Sequence, residues 1–186
     1  SFGWRFVNPL MKEKFGVDAM GETAENLVDR DHISREDQDK FSLRSQQKAK
    51  AAQERGRFVK EIVAVEIPQK KGEVKRFEKD EFMKPDTTLE GLAKLKPAFR
   101  KDGSVTAGNA AGLNDGAAAL LLASEDAIKK YNLKPLAKIV SSAVVGVEPR
   151  IMGIGPVEAA KLALKRANLT FADVDVIELN EAFASQ

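Results

Sequence analysis

Val174-Asp175-Val176-Ile177-Glu178-Leu179-Asn180-Glu181-Ala182-Phe183-Ala184-Ser185-Gln186 closes the chain, and its reading decides the fold. Val174, Val176 and Leu179, with Ile177 between them, put apolar side chains on both alternating faces, the pattern of a strand buried inside a sheet. The apolar run stops at Asn180-Glu181. An amide and a carboxylate are thereby delivered to the carboxyl edge of the expected strand, where α/β sheets keep their ligands. By its residues alone, Asn180 is either a turn cap bonding nearby backbone or a holder of water beside a reacting group.

A second informative stretch lies upstream, Thr106-Ala107-Gly108-Asn109-Ala110-Ala111-Gly112-Leu113-Asn114-Asp115-Gly116-Ala117-Ala118-Ala119. Its glycines let backbone pass close to a ligand or a helix, and Asn109, Asn114 and Asp115 tolerate turn conformations. No strand precedes Gly108 within a βαβ unit and no Lys-Ser/Thr follows, so it is neither a dinucleotide nor a Walker fingerprint. Asn180-Glu181-Ala182-Phe183 after a Val/Ile/Glu strand resembles the NEAF signature of the thiolases, enzymes that join or cleave acyl groups on coenzyme A. The glycine-rich stretch is similar to theirs. Met152-Gly153-Ile154-Gly155-Pro156 and Met20-Gly21-Glu22-Thr23-Ala24-Glu25-Asn26 agree as well, in the expected order. The resemblance covers essentially the whole chain.

The resemblance implies an α/β fold, a partial thiolase-like layered sandwich (αβαβα) with an α+β loop domain. Residues 1–104 would be the loop domain covering coenzyme A, residues 105–135 the end of the N-terminal core half, and residues 136–186 the start of the C-terminal core half. By the same resemblance Asn180 is catalytic, holding a water that donates to a thioester oxygen as negative charge develops there. Met20 and Phe99 would pack on the thioester or pantetheine, Ala107 and Ala111 would touch the pantetheine arm, Phe183 would line the acyl pocket and Lys84 would stand near the nucleotide. The family commonly has serine at the position of Ala111. Each assignment has a plainer reading beside it: core packing for Met20, Phe99 and Phe183, and a solvated charged face for Lys84 with Lys94, Lys96, Arg100 and Lys101.

The runs Gly3-Trp4-Arg5-Phe6-Val7-Asn8-Pro9 and Gly16-Val17-Asp18-Ala19-Met20 are similar to the 3-oxoadipyl-CoA thiolases of aromatic degradation, in which case Arg5 would pair with a distal substrate carboxylate. Thiolases act through cysteine and histidine. This chain has no cysteine and one histidine, His32, which sits in the charged turn Asp29-Arg30-Asp31-His32 and reads as solvated. The expectation is therefore an acyltransferase whose nucleophile comes from polypeptide outside these residues, with this segment inactive alone. The alternative is a non-catalytic thiolase-like protein that holds acyl-CoA or lipid. Coenzyme A is expected as a substrate, with no covalently bound cofactor and no metal, and the expected partners are acyl-CoA molecules and further copies of the chain in a dimer or tetramer.

Composition narrows the classes further. With 30 basic and 28 acidic residues the net charge is +2, so no chain-wide field points to nucleic acid or a membrane surface. No apolar run reaches the roughly 18 residues of a membrane span and no signal peptide is visible, so the expected location is the cytoplasm. Both ends read as cut.

The local patterning gives the expected elements. Met20, Ala24, Leu27 and Val28 share one helical face. Ser34 caps a helix that runs to about Arg55, where Gly56 can end it. Phe58–Ile67 reads as a strand returning through Val74–Phe77, and Thr87-x-x-Glu90 opens a short helix. Ala117–Ala123 and Leu136–Val147 read as buried strands. Helices Glu125–Tyr131 and Pro156–Asn168 lie between these strands and the closing one.

Overall fold

Asn8 opens the first helix, α1 (Pro9–Phe15), by accepting the amides of Leu10 and Met11 at 2.9 and 3.4 Å, ahead of a proline whose missing N–H costs nothing there. The structure is a computed structural model and describes residues 3–186. Helix α2 (Met20–Asp31) follows and is buried on more than its apolar face: Ala24 and Leu27 are inside as expected, and so are Thr23, Glu25 and Asn26. It ends at His32, which is exposed and adopts a left-handed conformation (φ 54°) that returns its amide to the Val28 carbonyl.

Ser34 caps helix α3 (Arg35–Glu54), accepting the Asp37 amide at 3.0 Å and donating to the Asp37 carboxylate at 2.7 Å. Gly56, just beyond the helix, sits at φ 72°. The apolar stripe Phe41, Ala49 and Ala52 is only half-buried. The residues that α3 buries are polar: Gln38, Asp39 and Ser42.

Strands β1 (Val65–Pro68) and β2 (Val74–Phe77) pair antiparallel, Val65 opposite Phe77 and Pro68 opposite Val74. The strand expected from Phe58 is shorter than its sequence pattern. Residues Arg57–Lys60 instead form a 3₁₀ turn, with the amides of Glu61 and Ile62 bonded to the Phe58 carbonyl at 2.9 and 3.0 Å. The four residues of β2 can ladder only four across from them, so the alternation before Val65 has nothing to pair with.

Helix α4 (Leu89–Ala93) is capped by Thr88, which accepts the Gly91 amide at 3.1 Å. Thr87, the expected cap, donates to the Lys84 carbonyl instead. Helices α5 (Glu125–Tyr131) and α6 (Gly155–Ala167) occur where the sequence places them, each closed by a left-handed asparagine, Asn132 and Asn168.

The three buried strands read from the sequence are not formed: Ala117–Ala123, Leu136–Val147 and Val174–Leu179 carry no strand ladder. Their side chains are open, with Leu120 at 89%, Leu136 at 99% and Val176 at 83% exposure. A β-branched, apolar run records a preference for a pleated, covered surface, but a strand exists only where neighbouring strands supply the ladder. Among the described residues no strand pairs with any of the three.

The core sits where α2, α3 and α4 meet residues 104–109, and much of it is polar. Val105 and Thr106 are fully buried, and Leu27 and Leu92 are buried as well. Glu25, 1% exposed, accepts the Ser104 amide at 2.8 Å and the Val105 amide at 2.8 Å. Asn109 is equally enclosed: its Oδ1 accepts the Thr106 amide at 2.7 Å while its Nδ2 donates to Asp39 and to the Ser104 carbonyl, each at 3.1 Å. Arg35 completes the set, bonding Asp39 at 2.8 Å and the Leu92 carbonyl at 2.7 Å.

Removing the Glu25 carboxylate leaves the buried Val105 amide and the half-buried Ser104 amide without an acceptor, and each orphaned group costs about 1–3 kcal/mol. Glu25→Ala is therefore expected to lower stability by about 2–5 kcal/mol in urea unfolding, against a change within about 0.5 kcal/mol for Glu66→Ala on the exposed hairpin.

Candidate functional site

The glycine-rich loop and the closing stretch meet directly. Ala110 and Phe183 form an antiparallel bridge. The Ala111 amide donates to the Ala182 carbonyl at 2.8 Å, and the Ala184 amide donates to the Asn109 carbonyl at 2.9 Å. Beyond the bridge, Ser185 is buried and its hydroxyl donates to the Ala24 carbonyl at 3.4 Å, while the Gln186 side chain donates to the Gly153 carbonyl at 3.1 Å. Two stretches some seventy residues apart are thus sewn into one wall, and that wall stands on α2.

A cavity of about 680 Å³ opens beside it, lined among others by Trp4, Met20, Phe99, Ala111, Met152 and Phe183. Phe99 and Phe183 meet edge to face, ring centres 6.0 Å apart and planes at 78°. Phe99 lies directly on Gly21, where an added Cβ would run into the ring. Next to it, Arg100 fastens this segment to α2, its guanidinium donating to Glu22 at 2.7 Å, Asp29 at 2.6 Å and the Asn26 side chain at 2.9 Å. Burial opposes the Arg100 charge, but the hydrogen bonds to Glu22 and Asp29 outweigh it and hold its pKa above the ordinary value.

Charge enters the cavity wall at three side chains, Arg5, Asp18 and Arg150. Asp18 accepts from the Asn26 amide at 2.9 Å and lies 3.8 Å from the Arg150 guanidinium. The Trp4 indole N–H donates to the Asp18 carbonyl at 3.3 Å. Arg5 forms no ion pair among the described residues.

Of the residues singled out in the sequence, the structure brings five to this cavity: Arg5, Met20, Phe99, Ala111 and Phe183. Ala107 is exposed and outside the lining. Lys84 is outside too, its ammonium 5.8 Å above the ring of Phe82, which packs against Gly112. Asn180 is exposed and lies outside the lining, three residues ahead of Phe183. Its neighbour Glu181 accepts a hydrogen bond from Ser45 on α3, which ties the segment down. Among the described residues there is no group of histidines, cysteines and carboxylates that could hold a metal ion, and no helix long and apolar enough to cross a membrane.

The residues that sequence reasoning missed are those that position the wall: Glu25, Gln38, Asp39 and, in its buried role, Asn109. The Met20–Asn26 turn already contained Glu25, but a carboxylate on a helix is ordinarily solvated, and only its two amide donors from residues 104 and 105 distinguish it.

Comparison with known proteins adds an independent finding. A family model described as the N-terminal domain of thiolase matches residues 6–126, and one for the C-terminal domain matches residues 133–186. The chain is 58% identical over all its 186 residues to beta-ketoadipyl-CoA thiolase of Acinetobacter baylyi, of which it covers 46%. It spans about half the length of the curated relatives it matches. Among solved structures it is similar to the Bacillus anthracis acetyl-CoA acetyltransferase (TM-score 0.85, 50% identity, 92% of this chain and 43% of that one). It is also similar to human mitochondrial 3-ketoacyl-CoA thiolase in complex with CoA (TM-score 0.81, 52% identity, 90% and 41%).

The seat of Phe99 gives a check on the cavity. Gly21→Ala forces the ring off the helix and is expected to cost about 1–3 kcal/mol of stability in thermal or urea unfolding, as overpacking does. Gly146→Ala, whose added Cβ meets nothing within 4 Å, serves as the control and leaves the unfolding midpoint nearly unchanged.

Proposed function

Because this chain belongs to the thiolase family, we propose that it forms part of an acyltransferase that moves acyl groups between coenzyme A thioesters. The reaction is thiolytic cleavage of a 3-oxoacyl-CoA or the reverse condensation, with 3-oxoadipyl-CoA as the substrate. The observation that carries the reading is the backbone bridge from Ala110 to Phe183, which sets part of the glycine-rich loop and Phe183, the last residue of the Asn-Glu-Ala-Phe segment, at one apolar cavity. Small side chains at Ala110 and Ala111 leave room for a narrow pantetheine arm, and Met20, Phe99 and Phe183 offer the apolar surface that an acyl chain needs. Lys84, above Phe82 and outside the cavity, would then face the nucleotide end of coenzyme A, and Ala107 the pantetheine.

In thiolysis the bond between C2 and C3 of the 3-oxoacyl thioester breaks, the acyl fragment passes to a sulfur and the C2 carbanion, an enolate of the thioester, takes up a proton. Asn180, exposed and with its neighbour held by Ser45, would hold a water that donates to the thioester oxygen as that enolate forms. With no cysteine among the 186 residues, the sulfur nucleophile is supplied from outside this chain, and the chain alone is inactive. The same reading gives the open runs around Leu120, Leu136 and Val176 their cover: further strands of the complete enzyme lie beside them. It also makes the enzyme a cytoplasmic homo-oligomer, dimer or tetramer, with Val65 and Val74 of the open hairpin available to another subunit.

The test is to mix the complete enzyme with 3-oxoadipyl-CoA and coenzyme A and follow the loss of the 3-oxoacyl thioester and the appearance of acetyl-CoA and the four-carbon dicarboxylic thioester. Turnover is expected from the complete enzyme and none from the 186-residue chain. Asn180→Ala is expected to lower kcat about 100- to 1,000-fold with a much smaller change in KM, the mark of a donor used in the transition state. A complete protein that binds acyl-CoA and never cleaves it would instead be a holder of acyl chains.

A further inference from the structure

We infer that Arg5 selects substrates with a carboxylate at the far end of the acyl chain, by meeting that carboxylate inside the cavity. The inference rests on the acyl-transfer reading above and adds to it the residue that distinguishes a dicarboxylic acyl chain from a plain fatty one.

The cavity wall holds two guanidinium groups and one carboxylate, and their arrangement assigns them different jobs. Arg150 lies 3.8 Å from Asp18, and its backbone carbonyl accepts the Asn26 amide at 2.9 Å, so it belongs to the frame between α2 and the 149–154 turn. Asp18 is committed in the same frame, accepting from Asn26 at 2.9 Å. Pairing those two leaves Arg5 as the one charge on the wall without a counter-charge among the described residues. The surroundings are apolar: Trp4 beside it in the chain, and Met11, Phe15, Met20 and Phe99 among the other residues that line the cavity.

A lone cation at the edge of an apolar pocket disfavours nothing about an uncharged acyl chain except the loss of hydration on entry. It rewards a chain that ends in a carboxylate, because guanidinium and carboxylate share a planar, two-point geometry and the apolar walls strengthen the attraction. Trp4 supplies orientation: its indole N–H is held on the Asp18 carbonyl at 3.3 Å, which anchors the Gly3-Trp4-Arg5 segment to the residues just before α2 and so sets Arg5 at the opening.

The experiment measures kcat/KM of the complete enzyme for 3-oxoadipyl-CoA and for 3-oxohexanoyl-CoA, which has the same chain length and no terminal carboxylate. Wild type is expected to prefer the dicarboxylic substrate. Arg5→Gln is expected to cut that preference about 10- to 100-fold, the worth of a hydrogen-bonded charge pair, chiefly through KM for the dicarboxylic substrate, and Arg5→Lys to restore part of it. Arg150→Gln, which disturbs only a partly exposed pair, is expected to change the preference less than about fivefold. Preference unchanged in Arg5→Gln, or lost in Arg150→Gln instead, overturns the assignment of Arg5 while leaving acyl transfer standing. A wild-type enzyme that cleaves neither thioester overturns acyl transfer and this inference with it.

Discussion

The carboxylate of Glu25 is the point on which the rest of the arrangement turns. It is 1% exposed and forms no salt bridge among the described residues; its oxygens accept the amides of Ser104 and Val105 and the Ser104 hydroxyl at 3.3 Å. A buried carboxylate persists only when such donors surround it, so wherever α2 goes the 104–105 backbone must follow. From there the constraint propagates by short steps. Gln38 bonds the Ser104 hydroxyl at 2.9 Å, Asn109 closes the turn onto Thr106 and Asp39, and Arg35 ties Asp39 to the end of α4. The glycine-rich loop is thereby a rigid ledge held from below by polar side chains.

That rigidity explains how small residues serve a site. Ala110 and Ala111 contribute little contact of their own, but their backbone is fixed well enough to receive Ala182 and Phe183 as a bridge, and Phe183 then brings its ring against Phe99. The other side of the cavity depends on α2 as well, through Gly21 beneath Phe99 and through the three-way clasp of Arg100. One helix therefore aligns both walls. A polar core favours this over an apolar one, because hydrogen bonds have fixed partners and directions whereas apolar packing tolerates sliding.

Sequence reading went furthest where the information is local. Ser34, Ser124 and Pro156, and the glycine and asparagines at the helix ends, mark the helix boundaries because capping depends on a few neighbouring residues. It located Arg5, Met20, Phe99, Ala111 and Phe183, which share the cavity, although nothing in their spacing says that they converge. It failed for the three long apolar runs, since β-branched composition states what a strand would prefer and says nothing of whether a neighbour is there to pair with. It missed the polar core for a related reason. Glu25, Gln38 and Asp39 look like solvated helix residues until the 104–109 backbone is laid against them, and contacts across about seventy residues leave no trace in a helical period.

In the proposed reaction this cavity, framed by the ledge and by Phe183, receives the acyl end of a coenzyme A thioester. A crystal structure of the complete enzyme with an unreactive acyl-CoA analogue addresses it most directly. The account predicts density for the acyl chain between Met20, Phe99 and Phe183, with the pantetheine running along Ala110 and Ala111 and a water on the Asn180 amide facing the thioester oxygen. An acyl chain bound elsewhere, with this cavity empty, would contradict it.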